Sequence, residues 1–103
     1  MIADILNRAA DRLEQPNAWS QHVMATTASR QVVAARDPRA CQWCSMGAIS
    51  AETDDPNIRF CVDGALRAAI NSRSIAHWND APGRTQTEVV SAFRKAASCS
   101  ATS

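Results

Sequence analysis

The residues of this chain best suited to chemistry are its four cysteines and two histidines, Cys41, Cys44, Cys61, Cys99, His22 and His77. Cys41-x-x-Cys44 has the spacing of half a tetrahedral zinc site, and Cys61 with His77 or Cys99 would complete four ligands. A second close pair is missing, so the sequence assigns no metal ligand and no cofactor. A cysteine nucleophile with His22 or His77 as base needs only spatial proximity. No acid is evidently placed to orient either histidine, so no catalytic residue is assigned. An even number of cysteines would suggest two disulfides in a secreted mini-protein. Met1-Ile2-Ala3-Asp4 lacks the basic-then-apolar order of an export signal, so a cytoplasmic location with reduced thiols is expected.

The stretch richest in recognition chemistry is Trp78-Asn79-Asp80-Ala81-Pro82-Gly83-Arg84-Thr85. Asn79 and Asp80 can hydrogen-bond loop backbone, and Arg84 can pair with Asp80 or receive a partner's carboxylate or phosphate. A structural role is favoured, with Trp78 packing the last helix onto the core while Asp80 and Arg84 hold the loop. With Trp19 and Trp43, these residues are the interaction candidates.

One motif recurs in the elements that must carry these residues. Cys44-x-x-Gly47-Ala48 returns seventeen residues later as Cys61-x-x-Gly64-Ala65, each followed by Ile or Leu. In a helix this spacing puts Cys, Gly and Ala on one face. A face without bulk admits a second backbone, so two helices are expected to cross through these paired patches.

Apolar residues at positions 2, 5, 6, 9, 10 and 13 repeat at helical spacing and predict a first amphipathic helix ending near Pro16. From Ala18 to Arg36 the β-branched and aromatic residues alternate weakly around Thr27-Ala28-Ser29-Arg30, which predicts a small two-stranded hairpin. Asp37-Pro38 and Asp55-Pro56 both read as helix starts, predicting helices from about Pro38 to Glu52 and from about Pro56 to Ser72. Pro82-Gly83 suits a type II turn, and Thr85-Gln86-Thr87-Glu88 is a capping box opening the last helix. The fold expected is α+β and mostly helical: a single compact domain over residues 1–97, with about four helices and a small hairpin, followed by a flexible tail over 98–103.

Trp43-Cys44-x-x-Gly47-Ala48, Cys61-x-x-Gly64-Ala65-Leu66 and Trp78-Asn79-Asp80-x-Pro82-Gly83-Arg84-Thr85, in that order, resemble the signature of a family of small uncharacterised proteins from bacteria and their phages, classed as a domain of unknown function. The last string is the specific one, and the resemblance runs from about Trp19 to Phe93. It implies a bacterial or phage setting and no activity. His77 lies outside the family pattern.

With 103 residues, eleven Lys and Arg against ten Asp and Glu, and a net charge of +1, the chain has no general attraction for nucleic acid or anionic lipid. No apolar run approaches the roughly 18 residues of a membrane span. By elimination, the sequence reads as a non-enzymatic protein-interaction module, an accessory factor or an inhibitor of a host system, with a protein partner. The main alternative is a small nucleic-acid-binding domain that uses arginines such as Arg30, Arg36, Arg39, Arg59, Arg67 and Arg73.

Overall fold

The computed structural model describes residues 1–101. The described residues form five helices and a short antiparallel sheet, joined by loops, in the order α1 (Ile2–Leu13), β1 (Ala25–Thr26), β2 (Gln42–Trp43), α2 (Ser45–Glu52), α3 (Pro56–Ile70), α4 (Ile75–Asn79) and α5 (Gln86–Ala101). The class is α+β and mostly helical, as the periodicity indicates.

α1 buries Ile5, Leu6, Ala9, Ala10 and Leu13, the stripe read from the sequence. Its main packing partner is α5, which turns Val89, Phe93, Ala96 and Ala97 inward. Alanines on both surfaces let the two backbones approach closely. The ends are tied as well. The Gln86 side-chain amide donates to the Leu13 and Gln15 carbonyls at 2.7 and 2.8 Å, capping the end of α1 just before Pro16. Arg94 donates to the Asn7 carbonyl at 3.1 Å and meets the Asp11 carboxylate at 2.7 Å.

α3 starts as its Asp-Pro signal predicts. Asp55 is the N-cap, its carboxylate accepting from the Asn57 and Ile58 amides, and Asn71 closes the helix in the left-handed conformation at φ 52°. Between α3 and α5 the structure adds a short helix, α4, in a stretch whose Asn, Asp, Pro and Gly residues predict only a loop. The Ser74 hydroxyl caps it by accepting the His77 amide at 3.1 Å. The type II turn is present, with Gly83 at φ 85° and the Arg84 amide donating to the Ala81 carbonyl at 3.1 Å. So is the capping box. Glu88 Oε1 accepts the Thr85 amide at 2.9 Å and Thr85 Oγ1 accepts the Glu88 amide at 3.2 Å. α5 then continues to Ala101, so 98–101 of the expected tail are helical, and Thr102 and Ser103 lie outside the described residues.

The region before α2 differs from the sequence reading. The turn at Thr27–Arg30 forms, with the Thr27 amide donating to the Gln31 carbonyl at 2.9 Å, and the segment beyond it pairs briefly with β1, through the antiparallel Thr26–Val32 bridge and the Val33 amide donating to the Ala25 carbonyl at 3.1 Å. The longer ladder of β1 is with β2, in the register Ala25 to Trp43 and Thr26 to Gln42. That pairing also displaces the helix expected from Pro38. Asp37 Oδ1 accepts the Arg39 amide at 2.8 Å, making an Asx turn rather than a helix cap. Cys41 donates its amide to Thr26 and Trp43 to Ala18, at 2.9 and 2.7 Å. Residues held in a sheet cannot also supply helical hydrogen bonds, so α2 begins only after Cys44, whose sulfur accepts the Gly47 amide at 3.3 Å.

Candidate functional site

The Trp78-Asn79-Asp80 stretch folds into the centre of the molecule's polar wiring. Asn79 is fully buried at the end of α4. Its Oδ1 accepts from the Trp19 indole at 2.8 Å, the Ser45 amide at 2.9 Å and the Ser45 hydroxyl at 2.6 Å. Its Nδ2 donates to the Ser20 carbonyl at 3.1 Å and to Asp80 Oδ1 at 2.9 Å. One amide thus joins α4, the start of α2 and the 19–20 segment. Every polar atom of the side chain is used, the condition under which a buried amide stabilises a fold.

Asp80 and Arg84 do not pair with each other. Asp80 Oδ1 accepts the His22 amide at 2.9 Å. Arg84 donates to the Trp78 carbonyl at 2.9 Å, lies 4.2 Å over the Trp78 ring and approaches Glu88 at 3.5 Å. Trp43 is buried under the Arg12 guanidinium, 4.6 Å from its ring centre, and gives its indole proton to the Ala35 carbonyl at 3.0 Å. Trp19 is half-buried, with its indole proton committed to Asn79. Of the six interaction candidates, Asn79 and Trp43 are closed to a partner. Trp78, Asp80, Arg84 and Trp19 are partly accessible and internally bonded.

The two C-x-x-G-A copies have different roles. A Cβ on Gly47 would collide with the Met24 carbonyl group, its carbon lying at 2.8 Å, so the small patch of Cys44, Gly47 and Ala48 receives the 24–25 backbone rather than a helix. Gly64 has nothing nearer than the Arg67 guanidinium at 3.9 Å, and Cys61 is exposed while Ala65 is half-buried. The expected crossing of α2 and α3 through paired glycines is therefore replaced by one close contact, between α2 and the strand segment.

Where the 22–36 segment lies over α2 and the start of α3, it leaves an open groove of about 630 Å³. Val23, Met24, Val32, Val33, Ala34 and Ala35 give it an apolar floor and one wall, and His22, Arg36, Ser50, Asp54 and Arg59 give it a polar rim. Val32 is 65% exposed and Met24 41%. Apolar side chains gathered along a concave surface and left in water are the ordinary signature of a binding surface. His22 holds the wall in a left-handed backbone conformation at φ 75°, fixed by its amide's bond to Asp80. The polar hub thus ties down the His22 end of the groove.

A model of the "Family of unknown function (DUF6197)" matches residues 1–98. The chain belongs to this family. No curated protein and no solved structure matches it.

Cys41, Cys61 and Cys99 are exposed and Cys44 is buried. Burial pushes the Cys44 thiol up, outweighing the Gly47 amide that favours its thiolate. Among the described residues no three His, Cys, Asp or Glu gather as metal ligands, and no helix is long and apolar enough to cross a membrane. Asp63, on α3, has an Oδ1 with no hydrogen-bond partner, and burial raises its carboxyl above the ordinary range against the opposing pull of Arg67 and Arg59. Sequence reasoning missed the groove. The available signal was Val32-Val33: consecutive residues of an extended segment face opposite ways, so both cannot be buried against one sheet.

Proposed function

We propose that this DUF6197 protein is a non-enzymatic protein-interaction module of bacterial or phage origin, acting in the cytoplasm as an accessory factor or inhibitor, and that its docking surface is the groove under Val32 and Met24. The observation that carries this reading is the groove itself, an open apolar trough with Val32 and Met24 left exposed along it. An open trough suits a segment of a protein partner that keeps one face in water; a small apolar ligand is normally enclosed over most of its surface. Arg8, Arg12, Arg39, Arg84 and Arg94 already face carboxylates of this chain, which withdraws five of its eleven basic residues from any phosphate track.

The test is a display selection of short random peptides on the immobilised protein, with each recovered peptide rebound to a Val32→Asp variant. Val32 is exposed, so the variant is expected to melt like the parent. The recovered peptides should bind the variant about tenfold or more weakly, the scale of burying a charge in an apolar contact. Peptides that ignore Val32→Asp would overturn the reading. So would salt-sensitive binding of duplex DNA with no peptide recovered.

A further inference from the structure

Two arginines converge at one place on the rim of the groove. Arg36 Nη1 lies 3.3 Å from the Ser50 carbonyl oxygen, and Arg59 Nη1 lies 3.3 Å from the Ser50 hydroxyl. One arginine comes from the loop before β2 and the other from the first turns of α3. Ser50, in the last turns of α2, draws both guanidinium groups to one residue. Like charges brought together in this way repel, and a neutral serine offsets little of that. Among the described residues neither arginine forms an ion pair. Asp54 lines the same groove without reaching either, and Asp63 feels Arg59 without an ion pair or hydrogen bond to it. Arg12 and Arg94, by contrast, each hold an acid of this chain, Arg12 meeting Glu52 at 2.6 Å and Arg94 meeting Asp11 at 2.7 Å.

We infer that the Arg36–Arg59 pair receives an acidic side chain of the docked partner segment, so the groove selects an apolar peptide carrying an Asp or Glu that reaches the Ser50 end. This rests on the reading of the groove as a protein-docking surface. A carboxylate there accepts hydrogen bonds from two guanidinium groups at once and removes their repulsion, while the apolar floor takes the neighbouring side chains. The floor supplies attraction that is indifferent to sequence, and the arginine pair supplies register.

The probes are the peptides recovered in the display selection, resynthesised with blocked ends and as twins in which each acidic residue is replaced by its amide. Calorimetric titration of the parent protein should show about a tenfold loss of affinity for one acid-to-amide change in each peptide. The same change should cost nothing further in an Arg36→Gln/Arg59→Gln variant. Arg36→Glu, at an exposed position, should lose the acidic peptide and regain binding to a twin carrying Lys at that site, which keeps the test valid if the double variant fails to fold. Val32-sensitive peptides without acid preference would overturn the arginine inference and leave the groove reading standing. An acid-to-amide loss of equal size in the double variant would also overturn it. If no Val32-sensitive peptide is recovered, the groove reading itself fails. Decanoate binding as tightly as the peptides, and losing affinity in the double variant, would replace the peptide by a free apolar acid.

Discussion

The Trp19 indole and the Asn79 side-chain amide meet at 2.8 Å across a separation of sixty residues, and Ser45 donates to the same oxygen through both its amide and its hydroxyl. The carbonyl oxygen of one side chain therefore joins the entry to the strand region, the first turn of α2 and the end of α4. A buried donor that loses its acceptor costs more than the bond contributed, because no water replaces it. Asn79→Ala would strand three donors at once. It is expected to lower the unfolding free energy by about 2–4 kcal/mol, read from denaturant titration. Asn79→Asp keeps an acceptor for Trp19 and Ser45 but turns a carboxylate oxygen toward the Ser20 carbonyl and Asp80, so it should destabilise comparably. A parent-like midpoint for either would show that the hub carries no stability.

Gly47 and Gly64 occupy the same place in the repeated motif and should respond to alanine with opposite signs. At Gly47 the new methyl meets the Met24 backbone, which can move only by shifting the sheet, so Gly47→Ala should cost about 1–3 kcal/mol. At Gly64 the space is open and the residue sits inside α3, so Gly64→Ala should stabilise by about 0.5–1 kcal/mol through helix propensity. Thermal melts of the two variants decide the matter, and equal losses would restore the crossed-helix arrangement.

The capping box at the start of α5 sets a smaller and more local test. Thr85→Ala removes the hydroxyl that accepts the Glu88 amide and should cost about 1 kcal/mol. Glu88→Gln keeps an oxygen for the Thr85 amide and should cost less, while it also weakens the 3.5 Å contact with Arg84. Chemical denaturation of both variants gives the order.

Asp63 should make the fold less stable as pH rises. Its carboxyl titrates above the ordinary value of 3.8 in the folded chain because burial disfavours the charged form, and Arg67 and Arg59 only partly compensate. The folded state thus holds the proton more tightly than the unfolded one. The stabilisation is complete below the unfolded value and is lost as pH rises through the folded one. Asp63→Asn removes this dependence. The melting temperature of the variant relative to the parent should therefore climb from acid toward neutral pH, and a flat difference would show that Asp63 is adequately solvated.

Much of the candidate site was illegible for a physical reason that particular residues show. Asn79 reads from the sequence as a residue that hydrogen-bonds its own loop and is a candidate for a partner, yet its acceptor is occupied by Trp19 and Ser45, neither of them within thirty residues of it. Arg84 stands four residues from Asp80 and looks like its counter-ion, but the ring of Trp78 takes the guanidinium while Asp80 turns to His22. Arg36 and Arg59 look like solvated charges. Only the packing of α2 beneath the 22–36 segment brings both to Ser50.

The sequence by itself determined whatever depends on neighbours a few residues apart: the apolar stripe of α1, the Asp55 cap of α3, the turn through Gly83 and the capping box of α5. These are short-range matters of periodicity, caps and backbone freedom, written in adjacent residues. The tertiary structure decided that β1 pairs with β2, that residues 38–44 leave the helix their Asp-Pro signal offers, and that one copy of a repeated motif is buried while the other faces open space. Those outcomes turn on long-range hydrogen bonds and on which surfaces share the core. A local signal of a kilocalorie or so yields to them.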